Sequence, residues 1–202
     1  MFKKIVLSFL LIFAVTVNVN AAPITIIHQG QGSGSLGSIP LTDVAFTITL
    51  RADTANRESF STSGTTGFSI DADSATILLA GLGTFDFITP TRSVVNNTNH
   101  VVVFSRASGL DLFAGPNNPA FSTYDMLSSI GPIAQNYGAL HQWTNPQVVT
   151  TGGVLVLDNF YSGSFRSPYS IFQATVVPVP SALLLLSSGL VCLLGLMKKF
   201  RR

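Results

Sequence analysis

The chain has a single cysteine, Cys192, and the part between Ala22 and Val177 contains no lysine. Because Cys192 lies near the C-terminus, the preceding body can form neither an internal disulfide nor a zinc site made of several thiolates. Acidic residues outnumber basic residues in this body. A nucleic-acid backbone is bound by clustered Lys and Arg, so the composition argues against nucleic acid as a partner.

Long apolar runs are found only near the two ends of the chain. At the N-terminus, Lys3 and Lys4 precede the uncharged run Ile5–Val17, and a Val-Asn-Ala sequence follows it. This order of charge, short apolar run and small residues is typical of a secretory signal. We predict a signal peptide over residues 1–21 that signal peptidase removes between Ala21 and Ala22. The alternative is a short anchoring helix that is not cleaved.

The C-terminal run, Ser181–Met197, has 17 uncharged residues, which is near the lower limit for a membrane-spanning helix. A basic cluster follows it directly: Lys198, Lys199, Arg201 and Arg202. Basic residues beside a span favour the cytoplasmic side, so the body would lie outside the inner membrane. Pro178 and Pro180 precede the run and disfavour a helix there, which marks a boundary.

The segment Val177-Pro178-Val179-Pro180-Ser181, followed by an apolar helix and a terminal basic cluster, resembles the PEP-CTERM sorting signal of Gram-negative bacteria. Val179 stands where the commonest form of that signal has glutamate, and valine and leucine variants share the pattern. The resemblance implies that exosortase, a membrane-embedded cysteine protease, processes residues 178–202. It also implies an organism that makes extracellular polysaccharide, which is therefore a candidate partner. A plain C-terminal anchor is the alternative.

Several body segments also resemble uncharacterised PEP-CTERM exported proteins. They are Gly32–Leu36, Ala75–Ile77, Gly81–Phe85, Thr89–Arg92, Val95–Asn97, Phe104–Arg106, Asp111–Phe113 and Gly131–Ile133. This resemblance covers most of the body but implies no particular activity.

The body, residues 22–177, has the local pattern of an all-β domain. In Val44–Leu50 apolar residues alternate with polar or small ones, as in a strand with one buried face. Further strands are predicted at Ile24–His28, Phe68–Ile70, Ala75–Leu79, Thr84–Thr89, His100–Ser105, Val154–Leu157 and Tyr169–Val177. These short strands predict a sandwich or a jelly roll. Only Thr123–Ile130 is predicted as a short helix.

The same patterns predict which side chains form the core. The expected core residues are Phe46, Ile48, Ile77, Leu79, Phe85, Phe87, Val101 and Val103. Where an apolar run is continuous, periodicity alone does not reveal which face is buried.

The spacing Gly32-x-Gly34-x-x-Gly37 matches a dinucleotide-binding fingerprint in letters only. That fingerprint requires a helix directly after the glycines, whose N-terminus holds the pyrophosphate. Here Pro40 and the predicted strand Val44–Leu50 follow. We therefore predict a glycine-rich hairpin loop and no NAD site.

The candidate catalytic and metal-binding residues are scattered. His28, His100 and His141 lack short metal-ligand spacing, and the chain has no Gly-x-Ser-x-Gly elbow. They are interpreted as exposed histidines or hydrogen-bonded histidines at strand ends, with a triad or a metal site as the alternative. We expect neither catalytic nor metal-binding residues.

Three aspartates, Asp53, Asp71 and Asp73, could hold calcium on loops, although position 75 is alanine where an EF-hand-like loop needs a ligand. We interpret these aspartates as loop caps.

The stretch Tyr124–Asn145 gathers Tyr124, Tyr137, His141 and Trp143. Exposed aromatic rings there would suit contact with sugars, whereas large aromatics more commonly fill a core. The sequence thus favours a non-catalytic, cofactor-free surface or matrix protein. The alternative is a secreted carbohydrate-binding module or a hydrolase that acts on extracellular polysaccharide.

Overall fold

A computed structural model describes residues 21–62, 64–157 and 166–177. Antiparallel strands dominate the described chain, so the predicted all-β body is confirmed. The predicted signal segment, apart from Ala21, and the predicted span 181–197 lie outside the described residues. Within those residues, no helix is both long enough and apolar enough for a membrane span.

Fifteen strands are described, with two short 3₁₀ helices at Thr54–Asn56 and Pro119–Ser122. The strands are β1 (Pro23–Leu36), β2 (Ile39–Asp53), β3 (Arg57–Thr62), β4 (Thr65–Asp71), β5 (Ser74–Leu79), β6 (Gly83–Asp86), β7 (Thr91–Asn96), β8 (Val101–Arg106), β9 (Asp111–Asn117), β10 (Ile130–Gln135), β11 (Gly138–Leu140), β12 (Val148–Thr150), β13 (Gly153–Leu157), β14 (Arg166–Ser167) and β15 (Ser170–Val176).

The first sheet has the order β10-β15-β1-β2-β5-β6, and the β12–β13 hairpin attaches to it through β13, which pairs with β1. Its long central strands alternate between buried and more exposed residues over 23–32 of β1 and 45–53 of β2. Ile24 and Ile26 of β1 therefore face the same interior as Phe46 and Ile48 of β2. The alternation of apolar and polar residues in the sequence thus determines which face of the first sheet lines the core.

The second sheet has the order β14-β11-β9-β8-β7-β4-β3. Side chains from both sheets meet in one hydrophobic cluster. Ile48 and Ile77 come from the first sheet, and Val95 and Phe104 come from the second. Two antiparallel sheets around a shared core form a sandwich-like body.

Part of the first sheet closes into a ring. β6 leads to Phe87, which forms an antiparallel bridge with Thr150 of β12. The Ile88 N–H donates to the Val149 carbonyl at 2.9 Å, which extends this contact. Because β12 pairs with β13 and β13 with β1, the path β1-β2-β5-β6-β12-β13 returns to its start. This closure protects the backbone edges of these strands.

The glycine-rich segment is not mainly a loop, so that part of the prediction is wrong. Gly32 and Gly34 lie within β1 at a break in its register with β2, and only Gly37 lies in the hairpin turn. A Cβ on Gly34 would lie 2.0 Å from the Val156 carbonyl oxygen, so the close approach of β13 requires glycine there.

The prediction of a short helix at Thr123–Ile130 is also wrong. After the 3₁₀ helix Pro119–Ser122 the chain is irregular until β10 begins at Ile130. It inserts Phe121, Tyr124 and Met126 into the core. Inserting residues 124 and 126 on the same side is incompatible with a helix, in which residues two apart do not share a face.

Seven of the eight expected core residues are buried or pack against the core, and Val101 on β8 does not. Phe46, Ile48, Ile77 and Leu79 are buried in it, and Phe85 and Phe87 pack against it while partly exposed. On β8, Val102 and Phe104 enter the hydrophobic cluster. Val103 is buried as expected, although it lies outside that cluster on the opposite face of β8, together with Val101, which is only partly buried. Because the run HVVVFS offers apolar side chains to both faces, the expectation is wrong for Val101 alone.

Candidate functional site

The two ends of the body lie side by side. Ile24, near the start of β1, pairs with Val176 at the end of β15. The Val177 N–H then donates to the Pro23 carbonyl at 2.9 Å. We call this end of the sandwich the junction end, because both predicted processing boundaries adjoin it.

Ala22, the residue predicted to follow the signal cleavage, is bound to the body. Its N–H donates to Thr54 Oγ1 at 2.9 Å, and its carbonyl accepts from the Thr54 N–H at 3.0 Å. Ala22 is buried, whereas Ala21 is only half-buried. The backbone of Ala22 therefore belongs to the folded body.

Of the predicted sorting residues, only Val177 is described, and its side chain is 53% exposed. The others lie outside the described residues: Pro178, Val179, Pro180, Ser181, Lys198, Lys199, Arg201 and Arg202. Their predicted roles stay predictions.

Charged residues gather towards the junction end. Two backbone hydrogen bonds of 2.9 Å link the strand ends and turns at this end. The Asp73 N–H donates to the Arg51 carbonyl, and the Ala72 N–H donates to the Thr91 carbonyl. The acidic residues in this half are Asp53, Glu58, Asp71, Asp73, Asp86, Asp111 and Asp125, and the basic ones are Arg51, Arg57, Arg92 and Arg106. Arg57 approaches Asp125 to 3.7 Å, which is the one ion pair among the described residues.

His28 is buried in the middle of the sandwich. It lies within β1, with the rings of Phe104 and Phe172 at centroid distances of 6.1 and 5.1 Å. Its Nε2 is 3.2 Å from Ser93 Oγ, while Nδ1 has no hydrogen-bond partner in the described chain. Burial lowers the pKa of His28 to about 3, which keeps the ring neutral. The interpretation of this residue as an exposed or strand-end histidine is wrong, because β1 continues past it to Leu36.

The parts of a hydrolytic triad are not brought together in the described chain. His28 meets Ser93, whereas the serines that meet an aspartate are Ser105, whose hydroxyl donates to Asp111 Oδ1 at 2.8 Å, and Ser33, whose hydroxyl donates to Asp43 Oδ1 at 3.2 Å. His100 lies in the β7–β8 turn with a φ of 54°, and His141 is exposed after β11. The Ser93–His28 pair is closed to solvent, so a substrate could not reach it without opening the core.

Arg106, at the end of β8, is a buried cation. It is 2% exposed, and its Nη2 donates to the Pro146 carbonyl. Its Nε and Nη1 have no hydrogen-bond partner among the described residues. Burial lowers the pKa of Arg106, but a guanidinium stays charged in proteins.

The loop aspartates show no arrangement for a cation in the described residues, where no group of three or more His, Cys, Asp or Glu side chains converges. Asp53 Oδ1 accepts from the Ala55 N–H at 2.8 Å and caps the 3₁₀ helix Thr54–Asn56. The interpretation of Asp53 as a cap is therefore confirmed. Asp71 and Asp73 are exposed at the β4–β5 turn.

The aromatic stretch divides into buried and exposed members. Trp143 is buried, and its Nε1–H donates to the Leu112 carbonyl at 2.8 Å, which confirms the core interpretation. Tyr124 is buried and donates to the Ser128 carbonyl at 3.0 Å; burial, and secondarily the Asp125 charge, raise its pKa. Tyr137, which is 51% exposed, and His141 are the members of this stretch that lie at the surface.

A hydrogen-bonded group of amide residues includes Gln135, two residues before Tyr137. Asn117 Nδ2 donates to the Asn99 carbonyl at 2.7 Å, and the Asn117 N–H donates to Gln135 Oε1 at 2.6 Å. Gln135 precedes Asn136 and Tyr137 in the chain. We call Asn99, Asn117, Gln135, Asn136 and Tyr137 the amide cluster. Sequence reasoning identified only Tyr137, because the other members come from separate turns that the sheet order brings together.

The amide cluster lies at the end of the sandwich opposite the junction end. β7 runs from the junction end to the turn that contains Asn99, and Asn117 pairs with Val101 at the start of β8. On the first sheet, Gln135 pairs with Ser170, the residue of β15 farthest from Val176. No protein-family model, curated protein or solved structure matches this chain significantly.

Proposed function

We propose that this chain is an exported surface or matrix protein of a Gram-negative bacterium. In this proposal, signal peptidase removes residues 1–21, and residues 181–197 hold the chain in the inner membrane. An exosortase-type protease then reads the segment Val177–Ser181 and releases the body. The body is a non-catalytic binding or structural module that needs no cofactor.

The observation that supports this proposal best is the adjacency of the two ends. Pro23 and Val177 are joined by a backbone hydrogen bond, so both predicted membrane segments leave the body from the same end. A chain held at both ends by one membrane can then fold without stretching either connection. The predicted signal cleavage adjoins Ala22, and the predicted sorting segment begins at Val177; among the described residues, these two are the outermost that are hydrogen-bonded to the sandwich.

The interior supports a non-catalytic role. The catalytic-type pair, His28 and Ser93, lies among aromatic rings in the core. There, an uncharged histidine contributes to packing. Its lowered pKa follows from burial, without the charged partner that would tune a general base.

The test of the sorting proposal uses the full chain in two hosts, one with exosortase and one without. The wild type should lose residues 181–202 only in the host that has the protease. The double variant Pro178→Ala/Pro180→Ala should stay full length in the membrane fraction, because the prolines hold an extended segment that a protease can bind. Intact mass and thiol labelling of Cys192 give the readout.

Pro168→Ala is the matched control, since Pro168 is an exposed proline in the turn between β14 and β15. It should be processed like the wild type. If the wild type retains Cys192 in both hosts, a permanent C-terminal anchor replaces the sorting proposal. N-terminal sequencing of the exported form should begin at Ala22, and an intact Met1 would contradict the signal-peptide prediction.

A further inference from the structure

The amide cluster has the properties of a prepared binding surface. Its turns are held in place by the Asn117 contacts with Asn99 and Gln135, and by the Ser170 hydroxyl, which donates to the Tyr137 carbonyl at 2.6 Å. These bonds fix the backbone and leave polar side-chain atoms facing solvent. Groups that are already ordered lose less conformational entropy when a ligand binds.

The cluster offers neutral donors and acceptors beside one aromatic ring. The side chains of Asn99 and Asn136 are exposed and have no hydrogen-bond partner in the described chain. The amide of each provides both donors and an acceptor. The Tyr137 ring adds an apolar face with a hydroxyl at its edge.

Formal charge is nearly absent from this surface. The described turns 97–100, 117–119 and 135–138 contain no acidic residue and no Lys or Arg. The charged residues that adjoin this surface are Arg166, which pairs with Ala139, and Asp125, which forms an ion pair with Arg57 and follows Tyr124, whose carbonyl accepts from Asn97 Nδ2. The acidic and basic groups of the body are instead concentrated towards the junction end. A polyanion such as nucleic acid would find no cluster of cations here.

We propose that the amide cluster binds a neutral polysaccharide. Sugar hydroxyls match the mixed donors and acceptors of the amides, and the apolar C–H face of a pyranose ring can stack on Tyr137. A polymer is favoured over a single sugar because the surface is an open group of turns, where affinity must come from several weak contacts in a row. This inference rests on the proposed export, which brings the body to such polymers, and it identifies the partner class of the body.

The test measures binding directly on the full chain, purified in a non-ionic detergent. Native gels are cast with dextran, hydroxyethylcellulose or galactomannan, and with alginate as the charged comparison. We expect retardation by at least one neutral polymer and none by alginate. Tyr137→Ala should weaken binding by about tenfold, which corresponds to about 1.4 kcal/mol, because the stacking face is lost. Tyr137→Phe, which keeps the ring, should stay within about threefold of the wild type.

Asn136→Ala tests the amide contribution and should weaken binding by about fivefold, which corresponds to one hydrogen bond of about 1 kcal/mol. Leu127→Ala is the matched control, because Leu127 is similarly exposed but lies near the junction end. It should bind like the wild type. Melting curves check that each variant is folded.

Retardation by none of the three neutral polymers would overturn the proposal, as would equal binding by wild type and Tyr137→Ala. Retardation by alginate alone would assign the body to an acidic polymer. Because binding is measured on purified protein, failure here is separate from failure of tail processing, which is read by mass in the two hosts.

Discussion

The interior of the sandwich contains two regions that are equally buried but chemically different. The apolar region consists of Ile26, Phe46, Ile48, Ile77 and Phe113, which pack across the two sheets. The polar region consists of His28, Thr91, Ser93 and Arg106, which lie on β1, β7 and β8. Burial alone therefore does not tell how a residue contributes to stability. Loss of an apolar side chain removes packing, whereas loss of a poorly satisfied polar one can remove a penalty.

The largest effect is expected in the apolar region. Phe46 stacks edge-on against Phe113 at a centroid distance of 5.1 Å and is almost completely buried. Phe46→Ala should lower the free energy of unfolding by about 3–5 kcal/mol, through lost transfer energy and a cavity. Urea denaturation measures this change in the free energy of unfolding. Leu78→Ala, on the exposed face of β5, is the control and should cost less than about 1 kcal/mol. Similar losses for both variants would contradict the assigned core face.

The next effect is a dependence of stability on pH. The pKa of His28 is about 3 in the folded state and about 6.5 when unfolded, so the unfolded state binds more protons between these values. Stability should therefore fall as pH is lowered below about 6.5, by roughly 2 to 3 kcal/mol between pH 7 and pH 4.5. His28→Leu should remove this part of the pH dependence.

The same urea titrations on His141→Gln provide the control, because His141 is exposed. That variant should keep the full pH dependence of the wild type. A His28→Leu variant whose stability falls as steeply as that of the wild type would show that other groups cause the acid sensitivity.

The smallest effect is expected at Arg106. Its charge is buried with two N–H-bearing nitrogens that lack partners in the described chain, so removal of the guanidinium also removes a desolvation cost. Arg106→Met keeps a similar alkyl stem and should change the free energy of unfolding by no more than about 1 kcal/mol, in either direction. Arg51→Met, at an exposed site, is the comparison. A loss of more than about 2 kcal/mol would show that the contact with Pro146 is essential.

Local patterns predicted the first sheet better than the second. The alternation in Val44–Leu50 predicted both a strand and its buried face, because polar residues separate the apolar ones. β3, β7, β9, β10, β11, β12 and β14 were not predicted. Gly-Pro pairs are typical of turns, and they occur in β9 as Gly115-Pro116 and in β10 as Gly131-Pro132. β10 is nevertheless an edge strand, where a missing backbone donor is tolerated.

Contacts between distant parts of the chain could not be predicted from the sequence. The meeting of His28 with Ser93 depends on how the two sheets pack, and no local pattern encodes it. The same applies to Asn99, Asn117 and Gln135, which look like ordinary turn residues until the sheet order brings their turns together. Composition could suggest an uncharged surface, but not where that surface lies.

The position of β1 has a consequence for the time at which the body can fold. β1 is made first and β15 last, yet they are neighbours in the first sheet, from Ile24 opposite Val176 to Gln29 opposite Ile171. Pairing strands so far apart in sequence is slow, because a large loop must close before the contact forms. One edge of β1 therefore stays unpaired until the final strand has been synthesised. Completion of the first sheet thus has to wait until nearly the whole body has been made.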